Sequence, residues 1–128
     1  MKIAFINILA MAALCDGELQ HLEHEIIKNI LDNPECDISE EDFWECARKS
    51  YDALNSGVPN NLLLQSYAND LNEKESQTVY ALAYEICSSN YILTQQEKEF
   101  LNLLEKFLEI DTYVKTTVRE SIQFRYGL

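Results

Sequence analysis

A chain of 128 residues, 47% of them apolar and 25% charged, is long enough to enclose one core and too short for two ordinary domains. Its net charge of −12 excludes nucleic-acid binding through phosphates, which needs clustered Lys and Arg, and makes cations and proteins the natural partners. Three Gly and two Pro leave little material for hairpin turns or long loops, so the composition favours helices.

Ile3 to about Cys15 is apolar on nearly all sides, the pattern of a helix at the axis of a core rather than on a surface. The run follows Lys2 and reaches Ala10-Met11-Ala12, the outline of a secretory leader, but a single Lys is a thin basic region and Asn7 interrupts the apolar stretch. No segment approaches the ~20 apolar residues that cross a bilayer. The expectation is a soluble, cytoplasmic chain with no membrane insertion. Cys15, Cys36, Cys46 and Cys87 sit at wide, irregular spacings and read as small buried apolar residues of a reducing compartment.

Beyond Asp16-Gly17, Leu22, Ile26, Ile27, Ile30 and Leu31 recur at helical spacing until Asn33-Pro34 stops the helix. Ser39-Glu40-Glu41-Asp42 has the form of a cap for a third helix through about Leu54, with Phe43, Trp44, Ala47, Tyr51 and Leu54 as its apolar set. Gly57 and Pro59 break the chain. A fourth helix is predicted from about Asn60 to Leu71, carrying Leu62, Leu63, Leu64, Tyr67 and Leu71. Asn72 through Glu75 forms a capping box for a fifth, in which Val79, Leu82, Ala83 and Ile86 share a face. Thr94 through Glu97 is a second capping box, followed by a wide apolar face from Phe100 to Ile110. Asp111-Thr112 opens a last helix with Val114, Thr117, Val118, Ile122 and Phe124. No segment alternates strictly enough for a strand, so the expected fold is an all-α, single-domain bundle of about seven helices.

Two stretches share one plan. Met11 to Glu23 and Ala83 to Glu97 each join an apolar helix end to a short polar turn opened by Asp16 or Asn90. In each, an aliphatic residue follows three positions on (Leu19, Leu93) and a Glu seven positions on (Glu23, Glu97). The pattern predicts a pseudo-twofold helical-hairpin repeat with elements at about 1–32 and 73–110. The first copy matches the second half of an EF-hand loop, but the first and third liganding positions would fall on Ala12 and Leu14, which offer no side-chain oxygen.

Ala13-Leu14-Cys15-Asp16-Gly17-Glu18-Leu19 through Glu23 resembles the repeated element of the TerB-like family, named for tellurite resistance proteins. Asn90 to Leu101 is similar to a second element with Asn for Asp and Tyr91 for Gly. The resemblance covers nearly the whole chain. It implies an all-α domain, no catalytic activity, a tellurite-resistance or stress-response setting, and a small divalent-cation site where the two turns meet. The ligand set it implies here is Asp16, Glu18, Glu23, Asn90 and Glu97.

The residues themselves make that chemistry intelligible. Carboxylates gathered by a tight turn repel one another, and a hard cation relieves the repulsion while preferring oxygen ligands. The expected cation is therefore calcium, magnesium or manganese, ahead of zinc. Equally, Asp16 and Glu18 read as turn residues, Glu23 as a complement to a helix dipole, and Glu97 as a capping-box side chain already employed. His21 and His24, with Glu25 and Cys15, form a weaker zinc set whose order fits no zinc-protease motif. Nothing pairs a nucleophile with a base. The expectation is a non-enzymatic acidic binding module with a protein partner and a weak homodimer. The alternative is a purely structural interaction module, without metal, that uses the 33–72 surface around Trp44 and Tyr51.

Overall fold

A computed structural model describes the backbone of residues 3–14, 21–32, 39–57, 60–88 and 93–126, with all side chains in those ranges except at 3, 21–24, 26, 54, 55, 60 and 126. Among the described residues there are seven helices and no strand: α1 (Ile3–Leu14), α2 (His21–Leu31), α3 (Glu40–Asn55), α4 (Asn60–Ala68), α5 (Glu73–Cys87), α6 (Gln95–Phe107) and α7 (Thr112–Tyr126).

α1 is the axis that its all-round apolarity predicts. Every side chain from Ala4 to Ala13 is buried, and the helix packs against α3, α4 and α5. Burying a large aliphatic or aromatic side chain stabilises by about 1.5–3 kcal/mol, so Phe5, Ile6, Ile8 and Leu9 draw the bundle around them. The polar interruption, Asn7, accepts a hydrogen bond at 3.1 Å from Ser50 Oγ of α3, which offsets the cost of burying both groups.

α5 is the second pillar. It packs on α1, α2, α6 and α7, burying Val79, Tyr80, Ala83, Tyr84, Ile86 and Cys87. The continuous apolar core takes residues from all seven helices, with α2 contributing Ile27, α4 Leu64 and Ala68, and α7 Ile122.

Local chemistry starts the helices where expected. Ser39 Oγ accepts from Asp42 N at 3.1 Å, and the acidic first turn of α3 complements the helix dipole. Both capping boxes form, Asn72 with Glu75 and Thr94 with Glu97, and Asp111 Oδ1 accepts from Val114 N at 2.8 Å to open α7. α4 differs from expectation and stops at Ala68 rather than Leu71, because Asp70 N and Leu71 N bond back three residues to Tyr67 O and Ala68 O. That tightened end brings Asn72 into position to cap α5.

α6 ends in a left-handed residue, Glu109, with φ 54°. Glu109 N donates to Lys106 O and Ile110 N to Glu105 O, the bond pair of a Schellman turn, with buried Ile110 packed in the core. A non-glycine residue there costs about 1–2 kcal/mol, offset by these bonds. The turn aims α7 back along α5, where Lys115 and Arg119 reach Glu105 and Arg125 reaches Glu85.

Periodicity overstates three apolar sets. Tyr51 of α3, Leu62 of α4 and Phe124 of α7 are exposed, with no other described helix packed over them.

Candidate metal site at the helix turns

The apolar ends of α1 and α5 lie together. Cys87 Sγ, on the last residue of α5, donates to Ala12 O of α1 at 3.8 Å. The C-terminal ends of the two central helices therefore lie at the same end of the bundle. When Asp16 is set against Asn90, His21 and Gln95 correspond, and these residues open α2 and α6. Ile27 and Leu101 also correspond, and both are buried.

Of the predicted ligands, Asp16, Glu18 and Asn90 lie outside the described residues, and Glu23 lies on α2 with a side chain outside them. Glu97 is described in full. It stands at the third position of α6, 0% exposed, and its Oε1 accepts from Thr94 N at 2.9 Å while its own N donates to Thr94 Oγ1 at 3.1 Å. A capping glutamate ordinarily faces water. Here the helix N-terminus and the Thr94 amide hold the carboxylate within the core, where burial of a charge is otherwise expensive.

Ser88, which follows α5, is also fully buried. Its backbone N–H bonds back to Tyr84 O and Glu85 O, and its Oγ has no hydrogen-bond partner among the described residues. Nothing in the sequence sets this serine apart from the many that merely end a helix. Among the described residues, no group of three or more His, Cys, Asp or Glu side chains is placed to hold a metal ion. In the zinc set, Cys15 lies outside the described residues, as do the side chains of His21 and His24, while Glu25 is exposed on α2.

The chain matches no family model, no curated protein and no solved structure.

A second polar cluster lies where α5, α6 and α7 meet. Tyr80, fully buried, donates its hydroxyl to Glu105 Oε1 at 2.6 Å, and Arg119 Nη2 approaches the same oxygen at 3.6 Å. Burial, and then the Glu105 hydrogen bond and charge, push the Tyr80 hydroxyl far above the ordinary phenol range. The phenol is held neutral as a donor, which suits it to fastening α5 to α6. Cys46, half-buried on α3, has its thiol pushed up by burial, which disfavours the reactive thiolate. No helix among the described residues is long and apolar enough to cross a membrane.

Proposed function

We propose that this chain is a small, acidic, non-enzymatic binding module of the TerB-like kind, which takes a divalent cation where its two helix turns meet and couples occupancy to a protein partner. The observation that supports the reading is the apposition of the α1 and α5 ends at the Cys87–Ala12 contact. Buried Glu97 at the start of α6 supports it, because a carboxylate kept out of water next to a turn is a preformed oxygen donor for calcium, magnesium or manganese. Asp16, Glu18, Glu23 and Asn90 supply the remaining oxygens. Asn90 brings a neutral carbonyl where Asp16 brings a charge, so the site binds weakly, near ~10⁻⁴–10⁻³ M. A tellurite-resistance or stress-response role follows from the family resemblance.

Thermal denaturation of the full chain with added calcium, magnesium or manganese tests the site. A cation that binds only the folded state raises Tm, and Asp16→Ala combined with Glu23→Ala abolishes the rise. No rise at millimolar cation, or a rise that survives the double substitution, rejects the assignment.

The second reading, a metal-free interaction module, draws support from the exposure of Tyr51 and Leu62 on α3 and α4, both within the 33–72 segment. Large apolar side chains left exposed to water are candidate partner contacts. A partner complex that persists in chelator and is lost on Tyr51→Ser favours this second reading.

A further inference from the structure

At the end of α5 away from Cys87, the turn between α4 and α5 and the turn between α6 and α7 border a cleft of about 280 Å³. Leu71, Leu108 and Ile110 give it an apolar lining, the last two of them buried. Glu73, Ser76 and Gln77 line it from α5, at the three- and four-residue spacing that sets side chains on one helix face. Glu109 and Asp111 line it from the other turn, and no Lys, Arg or His does so among the described residues.

Helix starts account for part of this charge. Glu73 complements the dipole of α5, and Asp111 caps α7 through Oδ1, which leaves its second oxygen and Glu109 over. Neither cap accounts for Ser76. It is 5% exposed, yet its hydroxyl makes no hydrogen bond to a described residue, whereas Thr78, two positions on, donates its own to Lys74 O at 2.9 Å. The Ser76 hydroxyl is not sealed from water, so the little exposure it keeps opens onto the cleft. A polar group so enclosed and left unbonded by the fold is a binding group.

We infer that this cleft takes the guanidinium of an arginine side chain presented by a protein partner. Its unbalanced carboxylates select a cation, and a net charge of −12 draws a basic partner toward it. The spread of the carboxylates selects the kind of cation. Among the described residues no three acidic, His or Cys side chains converge as metal ligands, so the negative charge is dispersed around the cleft rather than focused on a point. An ammonium is a compact charge with three donors, whereas a guanidinium spreads its charge over a plane that carries five. The apolar lining covers the methylene stem, and Ser76 Oγ accepts one N–H. The volume lies below the ~300–1,000 Å³ of pockets for drug-sized ligands, which suits one side chain of a larger partner. α5 is about 22 Å long, so the cleft is separate from the cation site proposed at its other end and does not rest on it.

Titrating the isotope-labelled full chain with N-acetylarginine amide, read by amide chemical shifts, tests the site. Saturable shifts at Ser76, Gln77, Glu109 and Ile110 are expected at millimolar probe, with none from the neutral isostere N-acetylcitrulline amide. N-acetyllysine amide binds at least about twofold more weakly than the arginine probe. Ser76→Ala and Glu109→Gln each weaken the arginine probe at least about twofold. Glu41→Gln, which removes the same charge from the exposed first turn of α3, leaves it unchanged. Ser76→Ala removes an unbonded hydroxyl, so Tm does not fall and lost binding is not lost fold. No saturable shift at these residues, equal binding of the citrulline or lysine probe, or affinity indifferent to Ser76→Ala overturns the inference. So does agmatine binding at least about tenfold tighter than the arginine probe, which points to a free small cation instead.

Discussion

Glu97 holds a helix start and stands among the proposed cation ligands, and one pair of substitutions separates the two roles. Glu97→Gln keeps a carbonyl oxygen for the Thr94 amide, and glutamine closes a capping box as glutamate does. Glu97→Ala removes the acceptor together with the rest of a fully buried side chain. Losing one hydrogen bond costs about 0.5–1.5 kcal/mol, and leaving the half-buried Thr94 amide poorly satisfied, with a small void beside it, brings the total to about 2–3 kcal/mol. At about 4 °C per kcal/mol for a chain of this length, the alanine variant melts about 8–12 °C below the parent. The glutamine variant stays within about 0.5 kcal/mol of it, because the cap survives and a buried charge is gone. Calorimetry with and without millimolar calcium, magnesium or manganese adds the second reading. Glu97→Gln reduces the cation-induced rise in Tm, since a hard cation loses a charged oxygen. Should glutamine destabilise as much as alanine, the charge rather than the hydrogen bond starts α6; should glutamine leave the cation response intact, Glu97 is no ligand.

Tyr80 gives the chain a limit on the alkaline side. Its hydroxyl is raised in the folded state, so above the unfolded phenol's pKa of about 10 the unfolded chain releases a proton that the folded chain retains, and stability falls as pH rises, by up to ~1.4 kcal/mol per unit. Tyr80→Phe removes that contribution, and urea melts of parent and variant at pH 8 and 11 converge with rising pH if it is correct; parallel curves dismiss it. Asn90→Asp with Tyr91→Gly restores the proposed second half-site, tightening cation binding at least about tenfold in a calorimetric titration while lowering metal-free Tm by adding a charge near Glu97. Unchanged affinity means that the second turn contributes no ligand.

What could be read from the sequence was what neighbours along the chain decide. The capping boxes at Asn72 and Thr94, and the Ser39 and Asp111 caps, are contacts over three residues, and each formed where its residues stood. α1 was legible because a helix with no polar face has one place to go. Decisions made across the bundle were not legible. Phe124 and Ile122 are both apolar on α7, yet only the stripe that meets α5 turns inward, and no local pattern says which stripe that is. Tyr80 finds Glu105 from another helix, and Glu109 takes the left-handed position that a glycine would have announced. For the candidate site, the cap at Glu97 was visible but its burial was not, because burial depends on what packs over the start of α6. Asp16, Glu18 and Asn90 are legible as a motif, and they lie outside the described residues.

The apolar axis has a consequence for synthesis. α1 leaves the ribosome before α3 and α5, the helices that cover most of it, exist. From Leu14 to Cys87 is roughly 70 residues, or about 4–15 s of translation at the usual rate. Through that interval the nascent chain trails a sticky, all-round apolar segment with no native partner, the kind of sequence that holdase chaperones capture. The native cover of α1 is thus complete only once α5 has been made.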